Sequence, residues 1–122
     1  MDKTVLVVDD SADYRMLVCL NLKKMGFNTL SAANGREGFA ILEENPDIRL
    51  VLTDIHMPVE DGFCLLHRVR SLTRQVTVLL MSGDVSREQL DRCSDRPDGF
   101  FQKPIDLAKL ADVLRMAPIS LH

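Results

Sequence analysis

Four places in this chain set charged or hydroxyl side chains directly after a short strand-like run, aliphatic in three cases and aromatic in the fourth. Asp9 and Asp10 follow "TVLVV", Asp54 follows "RLVLT", Ser82 follows "VTVLLM", and Lys103 follows "DGFFQ". Taken alone, each fits a turn. An Asp carboxylate satisfies nearby backbone N–H groups where a strand gives way to a loop, and Ser11 and Asp13 suit the cap of a following helix. Together they describe a reaction. Three carboxylates brought to one spot cannot all be buried as anions without a compensating cation. An all-oxygen set with no His or Cys at metal-ligand spacing favours a hard divalent ion, magnesium or manganese over zinc. An ammonium and a hydroxyl opposite that ion, from Lys103 and Ser82, suit the oxygens of a phosphoryl group. The chemistry implied is attack of a carboxylate on phosphorus to give an aspartyl phosphate, in which the protein supplies alignment and charge neutralisation. Asp54 stands singly and is the expected nucleophile; the adjacent Asp9 and Asp10 are expected to hold the metal.

The elements that must bring these residues together are legible in the apolar pattern. Short runs rich in Val, Leu and Ile alternate with longer amphipathic segments, a β–α unit repeated five times with no internal repeat or linker. "TVLVV" leads to a helix ending near Met25, with Tyr14, Leu17, Val18, Leu22 and Met25 on its expected apolar face and Gly26 as its stop. A weaker strand, "FNTLSA", passes through "NG" into a helix carrying Phe39, Ile41 and Leu42, which Pro46 prevents from continuing. "RLVLT" is followed by the loop "DIHMPVEDGF" and a helix with Phe63, Leu65, Leu66 and Val69. After "VTVLLM", Ser86 and Gln89 form a capping box for a short helix with little apolar content, Leu90 and Cys93. "DGFFQ" is the fifth strand, and Asp106 caps a last helix expected to bury Leu107, Leu110, Val113 and Leu114.

Strands joined by helices run parallel with right-handed crossovers, so their C-terminal ends share one edge, where open sheets of this kind bind ligands. Four of the five strands end in Asp, Ser or Lys, whereas the second ends in Ala32 and Ala33 and fits an outer position.

Composition bounds the rest. With 122 residues, 46% of them apolar and 27% charged, the chain suits one globular domain with a sizeable core. A net charge of −3 with scattered Lys and Arg gives no footprint for nucleic acid or an anionic membrane. No apolar run approaches the roughly 20 residues that span a bilayer, and the N-terminus lacks a signal-peptide layout, so a soluble cytoplasmic protein is expected. Cys19, Cys64 and Cys93, odd in number and widely spaced, read as small buried hydrophobes in a reducing compartment.

In this order and spacing the residues resemble the receiver domain of two-component response regulators, the CheY-like family, from "VLVVDD" to "KPID" and the last helix. "DIHMPVEDG" resembles that family's phosphoacceptor loop, "MSGD" its hydroxyl-bearing loop and "FFQKP" its lysine–proline turn. The resemblance implies one receiver domain over residues 1–122, a doubly wound flavodoxin-like (βα)5 fold with strand order 2-1-3-4-5. It implies that Asp54 is the phosphoacceptor. Asp9, Asp10, Asp54 and the backbone carbonyl of His56 would hold Mg²⁺, with Mn²⁺ able to substitute, and Ser82 and Lys103 would bind the phosphoryl group. Phe100 falls on the aromatic switch position, often Tyr in the family, where it signals by packing alone; the other reading is a plain core phenylalanine. His56 and Asp84 would flank the path of attacking water and are expected to pair and set phosphoryl lifetime, unless they are simply solvated loop residues.

The implied donor is a phosphohistidine on a histidine kinase or histidine phosphotransfer domain, docking near the first helix. An unidentified output protein would read the face near Phe100, and a phosphorylation-dependent homodimer would use the last helix; no nucleic acid or membrane contact is implied. The protein would be no enzyme beyond its own phosphorylation and dephosphorylation. The starting Met and short tail favour a single-domain regulator over a receiver of a hybrid kinase or longer regulator in a phosphorelay. Three rival classes fit less well. A magnesium-dependent phosphohydrolase of haloacid dehalogenase pattern needs an Asp two residues after the nucleophile, where "DIH" has His, and a substrate cap for which no length is left. A Rossmann-type nucleotide module needs a glycine-rich loop where "VVDDSAD" has none. A receiver used only for docking would not need the full set of Asp9, Asp10, Asp54, Ser82 and Lys103.

Overall fold

A computed structural model of the chain describes residues 3–83 and 95–116, with side chains through Leu114. Five strands, β1 (Thr4–Val8), β2 (Asn28–Ala32), β3 (Leu50–Asp54), β4 (Thr77–Ser82) and β5 (Gly99–Gln102), pair in parallel in the order 2-1-3-4-5. Helices α1 (Ala12–Lys24), α2 (Gly35–Glu44), α3 (Gly62–Arg70) and α4 (Leu107–Met116) alternate with them. This is the doubly wound architecture expected. The helix expected after Ser86, and Cys93 on it, lie outside the described residues.

The pattern of each strand explains its place. β3 is buried along its whole length, and β1 and β4 at all but their first residue, so these aliphatic runs fill the centre, covered on both faces. β2 carries polar residues and is largely exposed, which suits an edge. β5 alternates half-buried and exposed residues on the other edge.

Each helix begins where a short polar side chain satisfies an orphan N–H: Ser11 accepts from Tyr14 N, Asn34 from Glu37 N, Asp61 from Cys64 N and Asp106 from Ala108 N. α1 stops at Gly26, whose φ of +94° a side chain would resist.

The pleat divides the core in two. Val5, Val7, Leu50, Leu52, Leu79 and Met81 meet α1 and α4 through Val18, Leu22, Leu110 and Leu114. Leu6, Val8, Val51, Val78 and Leu80 meet α2 and α3 through Leu42, Leu65, Leu66 and Val69.

Three expectations about these faces are corrected. Leu17 is 50% exposed, because α1 rolls to place Cys19 rather than Leu17 against the sheet. Val113 is 37% exposed, since α4 flanks the narrow β5 edge and covers the sheet with Leu107, Leu110 and Leu114. Cys64 is exposed and Cys19 only half-buried, so neither is a fully buried hydrophobe. Cys64 falls outside the α3 stripe of Leu65, Leu66 and Val69, and burial and then the neighbouring Asp61 raise its thiol pKa, away from a reactive thiolate.

Candidate functional site

Register brings the site together. Val8 is level with Thr53 and Thr53 with Leu80, so one step further along the parallel strands Asp9 and Asp54 sit side by side. Ser82, level with Gln102, closes β4, and its carbonyl accepts the N–H of Lys103 at 3.0 Å. Asp9, Asp10, Asp54, Ser82 and Lys103, named from the sequence, therefore meet at one edge.

Asp9 is fully buried and Asp54 only 6% exposed, while Asp10 faces solvent. One carboxylate oxygen from each of the three lies within 4.8 Å of the others, a separation one cation can span. Lys103 Nζ is 2.7 Å from Asp9 Oδ2 and 3.3 Å from Asp54 Oδ2. With all three carboxylates ionised, one ammonium leaves two negative charges, which suits a divalent ion. The residues thus fit a hard metal: Asp9, Asp10 and Asp54 supply oxygen only, with no imidazole or thiolate among them.

The carboxylates are held by backbone donors. Ser11 N–H donates to Asp9 Oδ1 and Ile55 N–H to Asp54 Oδ1, each at 2.9 Å. Burial, and next the charge of Asp9, push the Asp54 carboxyl above the usual carboxylate range; Lys103 and the Ile55 N–H pull it back only in part. Burial works against the Lys103 ammonium, but its bond to Asp9 and the charges of Asp54 and Asp9 outweigh that and raise its pKa. A buried carboxyl inclined to protonate and an ammonium inclined to stay charged describe a site short of positive charge.

The loop after β3 is tied down on three sides. Gly62 N–H donates to Ile55 O at 2.8 Å, and a Cβ at Gly62 would collide with Asp54 O and come within 2.9 Å of Ile55 Cα. Gly35 N–H, at the start of α2, donates to Glu60 O at 2.9 Å, and Arg68 of α3 donates to Glu60 Oε1 at 2.6 Å. Glu60 N–H donates to Pro58 O across Val59, whose φ is +71°. His56 is exposed on this loop; Asp84, its expected partner, lies outside the described residues.

Phe100 is 36% exposed and level with Leu80, whereas its neighbour Phe101 packs against the α1–α4 core. The reading of a plain core phenylalanine therefore suits Phe101 and not Phe100. Phe100 lines a groove of about 600 Å³ with Gln102, Pro104, Asp106, Lys109 and Asp112. Two residues with no signal in the sequence also reach the site. Arg15 donates to the backbone carbonyl of Asp9 at 2.6 Å, and Tyr14 contacts the turn after β5. Gly62 was visible in "EDGF", but the demand for a missing Cβ was not.

Residues 5–115 match the response regulator receiver domain, and the chain belongs to that family. It is 36% identical over 111 residues to the autoinducer 1 sensor kinase/phosphatase LuxN of Vibrio harveyi, covering 91% of this chain and 13% of LuxN. It is 30% identical over 117 residues to sporulation initiation phosphotransferase F of Bacillus subtilis, covering 94% and 93% of the two chains. The solved structure of a response regulator receiver protein from Pseudomonas putida superposes with a TM-score of 0.86 at 30% identity, covering 95% of this chain and 98% of that one. The chain is thus a two-component receiver domain, of a family whose members are signalling switches, and its relatives include domains within sensor kinases.

Proposed function

We propose that residues 1–122 act as one phosphorylation-dependent switch whose acceptor is Asp54. The observation that carries this reading is the trio of carboxylates within 4.8 Å of one another, bridged by the Lys103 ammonium. Asp9, Asp10 and Asp54 would hold Mg²⁺, or Mn²⁺ in its place, with the backbone carbonyl of His56. Bound there, the ion supplies charge neutralisation for an incoming phosphoryl group. The P–N bond of a donor phosphohistidine breaks as a P–O bond to an Asp54 oxygen forms, and the imidazole leaves with the electron pair and takes a proton from solvent. Ser82 and Lys103 bind the phosphoryl oxygens. Water later attacks phosphorus, the P–O bond to Asp54 breaks, and carboxylate and inorganic phosphate result; these two steps on itself are its whole catalysis. The lifetime is assigned to His56 together with Asp84, which lies outside the described residues.

The donor is a histidine kinase or histidine phosphotransfer domain. Met16, Leu17 and Leu20 lie exposed on α1, whose first turn also reaches the site through Arg15, and this apolar stripe supports docking there. Once Asp54 is modified, Ser82 and Phe100 rearrange and the groove beside Phe100 presents itself to an output partner or, with α4, to a second copy. No helix among the described residues is long and apolar enough to cross a membrane, and we place the protein in the cytoplasm with its kinase. A second reading, a receiver passing the phosphoryl group along a phosphorelay, is supported by the likeness to LuxN and to phosphotransferase F.

The test is intact mass after incubation with Mg²⁺ and acetyl phosphate, beside Asp54→Ala. A gain of one phosphoryl group that needs Mg²⁺ and is absent from the variant is expected. No gain in the wild type, with magnesium binding shown separately, overturns the acceptor assignment for small donors and turns attention to docking alone.

A further inference from the structure

Tyr14 is the third wall of the lysine site. It belongs to the first turn of α1, yet both polar features of its side chain engage the turn after β5. Its hydroxyl accepts the N–H of Ile105 at 3.2 Å, and its ring lies 4.5 Å, centroid to Nζ, from the Lys103 ammonium. Lys103 thus has Asp9 and Asp54 as anionic partners and an aromatic face as a neutral one. The half-buried side chain also packs against the α1–α4 core, which holds the ring independently of the lysine.

The difference between the two kinds of partner matters when the charges change. A metal held by Asp9 and Asp10 would compete with Lys103 for Asp9, and a phosphoryl group on Asp54 would move negative charge outward. An ammonium held only by Asp9 would lose its seat at that moment. A ring carries no net charge, so its attraction for the ammonium is the same before and after. We infer that Tyr14 is a positioning residue for the phosphoryl transfer: its ring seats Lys103 Nζ between Asp9 and Asp54 and keeps it at the phosphoryl site when Asp9 is taken by the metal, while its hydroxyl fixes the turn that carries the lysine. The inference rests on the reading of Asp54 as acceptor.

Two variants separate ring from hydroxyl. Tyr14→Phe keeps the aromatic face, and Tyr14→Leu keeps the bulk and loses the face. The expected signature in the unmodified protein is an upfield ring-current shift of the Lys103 Hε protons, present in the wild type and Tyr14→Phe and absent from Tyr14→Leu. With acetyl phosphate and Mg²⁺, Tyr14→Phe is expected to react within about twofold of wild type and Tyr14→Leu roughly threefold to thirtyfold more slowly, the range of a cation–π contact between exposed and desolvated sites. Thermal unfolding of both variants controls for a general loss of structure. The inference is overturned if Tyr14→Leu reacts as fast as wild type, or if Tyr14→Phe is slowed as much as Tyr14→Leu, since the ring would then do nothing beyond the hydroxyl. A wild type that takes no phosphoryl group breaks the acceptor assignment instead, and the Lys103 shift still decides whether Tyr14 seats the ammonium.

Discussion

β3 and β5 each bring one side chain of the candidate site to the rim, Asp54 and Lys103, and they do so with opposite degrees of support. β3 is buried along all five residues, with a strand on either side, and the loop that follows it is tied to α2, α3 and its own backbone. β5 has one neighbouring strand, exposes every second residue, and depends on Tyr14 and the Ser82 carbonyl to place Lys103. An acceptor has to stand still so that a donor can align with it. A readout has to move, and the element that moves at low cost is the one with the fewest contacts to give up. Under the proposed function, chemistry would sit at the centre of the sheet and signalling at its edge, with the size of any shift limited by the differential contacts at Ser82, Lys103 and Phe100.

The sharpest way to break this contrast is at Gly62. Gly62→Ala puts a methyl group into the backbone of Asp54 and Ile55 and should cost about 3 kcal/mol, read by urea unfolding; a small effect would mean that the β3 end is more pliant than its contacts imply. Leu52→Ala, in the middle of β3, should cost about 3 kcal/mol by the same measurement. Asp54 itself should act the other way. Because burial and Asp9 hold its pKa above the usual carboxylate range, the stability it contributes is fully present below that range and is lost as pH rises through the elevated value. Asp54→Asn cannot ionise, so without divalent ions it should melt higher than wild type at neutral pH, with the difference closing at acid pH. On β5, Phe100→Ala should cost only about 1 kcal/mol, since the ring is already partly in water. The smallest effect is expected at Val59, where a β-branched residue holds a positive φ: Val59→Gly should stabilise by about 0.5 kcal/mol, the relief of strain exceeding the entropy that glycine adds to the unfolded chain.

The same contrast explains what could be read in the sequence. β1, β3 and β4 announce themselves because a strand covered on both faces must be aliphatic throughout, and a charge at its end has no other place than the rim. The outer position of β2 followed from Ala32 and Ala33 offering that rim nothing. The helix faces were less legible. A spacing of three and four residues locates a stripe but not the roll of the helix upon the sheet, so Leu17 was placed on a core face that it leaves, and Val113 was assigned a core that the narrow β5 edge does not reach. Tyr14 fits the apolar stripe of α1 and gave no hint of Lys103, which lies 89 positions along the chain and meets it only when β5 is laid beside β4.

One consequence of the parallel winding concerns assembly into larger proteins. β1 starts at the rim opposite the carboxylates, and α4, leaving Lys103 and Pro104, runs back far enough for Val113 to border the cleft beside Val76 and Thr77, at the start of β4. The first residue of β1 and the later turns of α4 therefore lie away from the three carboxylates. That geometry is compatible with a place inside a longer polypeptide such as LuxN, of which the chain matches 13%.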